Sequence, residues 1–149
     1  RRPDLRTVSK ISVRHGSESL VSGLLLVGWL CDRLGWRPEQ LTRHDDLLRG
    51  RARGRRGEVE LRLEPVERMR VPGLAGVEIR SDLGAMIALE RGEGGLTARR
   101  VERKGGERTW TVLGASRGEA GILGEGIRHA LLPDPTYAPA LAAARRMLG

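Results

Sequence analysis

Over residues 58–113 apolar side chains return at every second position, and this period decides most of what the chain can become. Val59, Leu61 and Leu63 alternate with Glu58, Glu60, Arg62 and Glu64; Val77 and Ile79 alternate with Glu78 and Arg80; Ile87 and Leu89 continue the pattern. A period of two puts every apolar side chain on one face of an extended backbone, so these segments read as half-buried strands that need a cover on one side only. Gly73, Gly84 and the Gly92 to Gly95 cluster punctuate them. Residues 96–103 and 108–113 form a further pair across Gly105-Gly106, a hairpin signal. The middle of the chain therefore reads as an antiparallel meander.

The flanks change period. In residues 7–14, Ser9, Ile11 and Val13 alternate with Lys10, Ser12 and Arg14, which predicts a first strand broken at His15-Gly16. Ser17 is the expected N-cap of a helix in which Leu20, Leu24, Val27, Cys31 and Leu34 recur at helical spacing up to Gly35. Leu25, Leu26, Trp29 and Leu30 widen its apolar surface, so a core helix is expected. Residues 39–57 read as polar and basic, with at most a helical turn over 40–48. The helical period returns from Gly118 with Ile122, Leu123, Ile127 and Leu131, and after Pro133-Asp134-Pro135 an alanine-rich helix is predicted over 137–148. The fold expected is α+β: an antiparallel meander of about five to six strands, with a long N-terminal helix and two C-terminal helices packed on one face.

With 149 residues the chain can bury one core without metal or disulfide staples, so a single domain spanning 1–149 is expected. It begins Arg1-Arg2-Pro3 with no initiator methionine, from which we expect a piece of a longer protein. No charge-free apolar run of about 18 residues occurs, which points to a soluble, cytoplasmic chain with no membrane partner. Cys31, the single cysteine, cannot form an intramolecular disulfide. The net charge is +8, and much of the excess lies in Arg49, Arg51, Arg53, Arg55 and Arg56, a stretch without an acid. With Gly50, Gly54 and Gly57 between them, these arginines read as a mobile basic loop.

Catalytic chemistry finds little footing. His15, His44 and His129 fall in different elements, none at metal-ligand spacing, and an exposed or capping role is the preferred reading of each. His44-Asp45-Asp46 beside Arg43 and Arg49 reads as solvated charge, and Cys31 as a small hydrophobe of the helix. No serine has a nucleophile-elbow context, and the Gly92 to Gly95 cluster lies between strands instead of opening a helix. Residues 114–118 precede a helical segment and offer only a weak anion site. Trp29, Trp36, Trp110 and Tyr137 are too few for a single-strand stacking platform. Trp110 alternates with Val112 and is either core, the preferred reading, or an exposed anchor at a partner interface. No catalytic residue, metal or cofactor is expected.

Two blocks carry a resemblance. The stretch from Leu24 to Pro38, with Gly28-Trp29-Leu30, three further residues, then Leu34-Gly35-Trp36-Arg37-Pro38, resembles the signature helix of OpcA proteins; the closing Leu131-Leu132-Pro133-Asp134-Pro135-Thr136-Tyr137 resembles their C-terminal part. The resemblance implies the C-terminal domain of a longer protein. It also implies a non-catalytic role in assembly or activation of glucose-6-phosphate dehydrogenase, the NADP-dependent entry to the oxidative pentose phosphate pathway. Some cyanobacterial members are linked to thioredoxin control through cysteines, but Cys31 alone cannot cycle between dithiol and intramolecular disulfide. Two other readings stay open: a nucleic-acid-binding module using the arginines of 49–56, and a phosphosugar-binding domain using the same arginines and the 114–118 turn.

Overall fold

The computed structural model describes residues 7–92, 95–112 and 134–149. Strand β1 (Val8–Gly16) leads into helix α1 (Leu20–Leu34); β2 (Arg37–Pro38), β3 (Thr42–His44), β4 (Leu47–Gly54) and β5 (Gly57–Val66) follow. Next come β6 (Leu74–Ser81), β7 (Met86–Gly92), β8 (Gly95–Val101) and β9 (Glu107–Val112), and then helix α2 (Tyr137–Leu148). The strands join one sheet in the order β2-β4-β5-β1-β6-β7-β8-β9, with β3 also paired to β4.

The α+β class and the β6 to β9 meander agree with the reading of the sequence, but the strand number and the strand directions differ. Nine strands are present among the described residues, and the sheet is mixed, because β5 lies parallel to β1. The long helix, expected after the first strand, follows β1 and forms part of the crossover that makes this parallel pairing possible. Of the two C-terminal helices, the one predicted over 118–131 lies outside the described residues.

Segment 39–57, read as a loop with a helical turn, is instead β3, β4 and the turns around them. Beyond Leu48 its period of two is carried by small residues: Leu48 and Ala52 are buried, and a Cβ on Gly50 would press to 2.5 Å from Leu41 Cδ2. Arg49, Arg51 and Arg53 take the alternate positions, so charge masked the strand. Asp45-Asp46 forms the β3–β4 turn, with Asp45 at φ 54°, a conformation that Asp tolerates.

Helix α1 lays Leu24, Val27 and Cys31 on the sheet, against a layer that includes Ile11, Val13, Leu61 and Leu63. It ends at Gly35, whose φ of 67° suits a residue without Cβ, and the Trp36 N–H closes the turn on the Cys31 carbonyl at 2.8 Å. The N-cap is Ser19 and not Ser17; its Oγ accepts from the Gly73 N–H at 2.8 Å, tying the helix start to the β5–β6 connection. Helix α2 crosses α1 at Gly28, where a Cβ would strike the Ala140 carbonyl oxygen and sit 3.1 Å from the Ala144 nitrogen. The other end of α2 is fastened by the Leu41 N–H donating to the Met147 carbonyl at 2.8 Å. His15, expected exposed or capping, is buried and donates from Nδ1 to the Gly16 carbonyl at 2.8 Å.

Candidate partner surface

The sheet has two unlike faces. On the face bearing the helices, one row in register runs Leu48, Leu63, Val13, Val77, Leu89, Ala98, Trp110, apolar across seven strands. The opposite face carries Arg49, Arg51 and Arg53 of β4, Glu58, Glu60 and Arg62 of β5, Lys10 and Arg14 of β1, Glu78 and Arg80 of β6, Glu90 of β7, and Arg99 of β8 with Glu107 of β9.

The five arginines read as a mobile basic loop are therefore a strand and a tight hairpin. Gly54 and Gly57 close the β4–β5 turn, with Arg55 and Arg56 at its tip. Three of the five are matched by carboxylates: Arg49 to Glu60 at 3.4 Å, Arg51 to Glu58 at 2.9 Å and Arg53 to Glu39 at 2.7 Å. Glu60 also receives Arg62 at 2.7 Å and Lys10 at 3.8 Å. Burial acts to raise the Glu60 carboxyl, but the hydrogen bonds from Arg62 and Arg49 and the charges of Lys10 and Arg62 outweigh it and hold it below the usual carboxylate range. Further along the face Arg14 pairs with Glu90, Arg80 with Glu78 at 2.5 Å, and Arg99 with Glu107 at 2.7 Å. Such half-exposed pairs add about 0–1 kcal/mol each to stability, so what they chiefly do is cancel field.

Basic charge without a partner among the described residues remains at the hairpin tip, where Arg55 and Arg56 are exposed and Arg37 lies beside Arg53 on β2. The tip is braced from below: a Cβ on Gly54 would sit 2.8 Å from Trp36 Cδ1, and Pro38 is buried in register with Ala52. The signature block thus divides by task. Gly28, Gly35, Trp36 and Pro38 set helix crossing, helix end and hairpin support, and Leu30 and Leu34 are half-buried. Trp29 stays 40% exposed, and Arg37 is exposed at the tip. In the second block Asp134 Oδ1 accepts from the Thr136 N–H at 2.8 Å and from its hydroxyl at 2.7 Å, shaping the turn before α2, while Pro135 and Tyr137 are exposed.

Trp110, for which the core reading was preferred, is 46% exposed on β9, at the far end of the sheet from the arginines. The structure does not bring these two candidate features together. Cys31 is buried, and burial pushes its thiol up to about 12, which keeps it protonated and poorly nucleophilic. No three His, Cys, Asp or Glu side chains converge as metal ligands among the described residues; residues 114–118 and His129 lie outside them. No helix among the described residues is long and apolar enough to cross a membrane.

The architecture is shared with a dehydrogenase (MviM) from Clostridium difficile, which matches at 14% identity with a TM-score of 0.53 over 93% of this chain and 52% of that one. The likeness is one of fold, and the chain spans about half the length of that structure. Among curated proteins none matches. The family model for the C-terminal domain of the glucose-6-phosphate dehydrogenase subunit matches residues 1–141. The chain belongs to that family, the OpcA family that its two signature blocks resemble.

Proposed function

We propose that the chain is the C-terminal domain of a longer OpcA-type protein and acts as a non-catalytic assembly or activation partner of glucose-6-phosphate dehydrogenase in the cytoplasm. The family match over residues 1–141 carries this reading. The contact we assign to the β4–β5 hairpin tip, where Arg55 and Arg56, with Arg37 beside them, meet an acidic surface of the enzyme. The geometry supports a tip over a broad basic field: the carboxylates beside Arg49, Arg51 and Arg53 cancel most of the field a polyanion would need, and leave a compact cationic end that steers one partner. The nucleic-acid reading loses ground for the same reason.

Replacing Arg51, Arg53, Arg55 and Arg56 together with Ser is expected to slow association with the cognate dehydrogenase and to flatten its salt dependence. The melting temperature should barely move, because exposed charges on a strand and its turn, including the half-exposed pairs of Arg51 and Arg53, add little stability. Stopped-flow or surface-plasmon association rates at low salt check this. Equal rates for the two forms would remove the hairpin from the contact. A substituted chain that lost only duplex DNA affinity, and kept its full effect on the enzyme, would assign the arginines to polyanion binding.

A further inference from the structure

The row Leu48, Leu63, Val13, Val77, Leu89, Ala98, Trp110 does not end at a polar border. Its outer members Leu89 and Trp110 are 37% and 46% exposed, and Val112, on the same face of β9, is 37% exposed. β9 closes the sheet: among the described residues it pairs with β8 alone, so its outer edge has backbone donors and acceptors to offer. Edge strands are normally blunted by lysine, proline, a bulge or an inward charge. β9, Glu107-Arg108-Thr109-Trp110-Thr111-Val112, has no lysine or proline and runs in unbroken register with β8. Of its two charges, both at one end, Glu107 lies on the opposite face and is held by Arg99, and Arg108, two positions from Trp110, is the strand's one inward charge.

We propose that β9 pairs antiparallel with β9 of a second copy of this chain about a two-fold axis through Trp110. The sequence around that axis is self-complementary. With Trp110 opposite Trp110 of the second copy, Thr109 faces Thr111 and Arg108 faces Val112, so two threonine pairs flank a tryptophan pair, both favourable cross-strand combinations. The two Arg108 side chains are kept apart by four strand positions, about 14 Å, and each lies diagonal to the other copy's indole, where a cation over the ring is attracted. No like charges meet. The axis stands perpendicular to the sheet, so both helix-bearing faces stay on one side and the apolar row runs from one core, through the tryptophans, into the other. A second copy fits this edge because an isologous contact needs each residue to meet its mate's complement, and Thr-Trp-Thr supplies that unaided. The contact is a strand edge and a few side chains, which places it among small, concentration-dependent interfaces.

Sedimentation of the 149-residue chain alone, over a wide concentration range, should show a monomer–dimer equilibrium. Far-UV circular dichroism should develop a tryptophan exciton couplet as the dimer fills. Trp110→Lys should raise the dimer dissociation constant at least about tenfold and abolish the couplet with the melting temperature retained, whereas Trp29→Lys should leave both. Amide exchange supplies an arm that needs no variant: protection over 107–112 should grow with chain concentration. A chain that stays monomeric, a Trp110→Lys chain that dimerises as well as the parent, or β9 protection that is independent of concentration would overturn the proposal. So would protection that appears only when the dehydrogenase is added, which would give the edge to that enzyme instead.

Discussion

The two halves of the sheet share one apolar face and one register, yet among the described residues only one half joins the main core, and in the other only Ala88 and Ala98 are buried apolar side chains. Around β1, β4 and β5 the row is capped by α1 and α2, and Ile11, Val13, Leu61, Leu63, Val27, Cys31 and Met147 reach zero exposure. The packed core and the side chains resting on it extend through Leu74, Val77 and Ile79 of β6 and include none from β7, β8 or β9 among the described residues. The same alternation of sequence therefore yields two different physical objects. Burial comes from the layer above a strand, and alternation states only which face is prepared to receive one. The first half holds the fold; the second displays apolar surface at its border.

Truncation at matched leucines puts the largest stress on this contrast. Leu24→Ala, on α1 where it packs against the sheet, should cost on the order of 2–5 kcal/mol through lost burial and the cavity left behind. Leu89→Ala, on the helix-bearing side of the sheet and 37% exposed, should cost about 1 kcal/mol or less. Denaturant melts of both variants measure this directly. Similar losses at the two sites would mean that the outer strands are as firmly covered as the inner ones.

A smaller effect is expected on the charged face. Because the folded carboxyl of Glu60 lies below its unfolded value, its contribution is complete above the ordinary carboxylate pKa, about 4.3, and is lost as pH falls through the folded value. Glu60→Gln should lower stability by about 0–1 kcal/mol at neutral pH, given its exposure. The gap to the parent should close on acidification and shrink in high salt. A gap that widened as the pH fell would reverse the assignment of Glu60 as the shared carboxylate of Lys10, Arg49 and Arg62.

Legibility in the sequence followed the same division. Strands whose inward residues are large, such as Ile11-x-Val13 and Val59-x-Leu61-x-Leu63, could be read with their faces, as could α1 with its buried Cys31 and glycine end. β4 was missed because, of its inward residues Leu48, Gly50 and Ala52, only the first is large, and one leucine does not signal alternation among five arginines. The parallel pairing of β1 with β5 was out of reach for a different reason. Local periodicity says which residues point inward but not which distant strand lies alongside, and here the partners are some fifty residues apart. The candidate site was half legible: the arginines stood out, but the carboxylates that neutralise them sit on neighbouring segments and become partners only in register, as Glu58 and Glu60 do. Trp110 was misjudged because alternation on an edge strand looks the same as alternation over a core.

The central claim is that the chain serves as a partner of glucose-6-phosphate dehydrogenase and meets it through the β4–β5 hairpin tip. Hydrogen exchange of the chain, alone and with saturating dehydrogenase, tests that claim most directly. Amides of residues 54–57 should exchange more slowly in the mixture, while those of β1 and α1, already closed in the core, stay as they were. Identical exchange over 54–57 with and without the enzyme would contradict it.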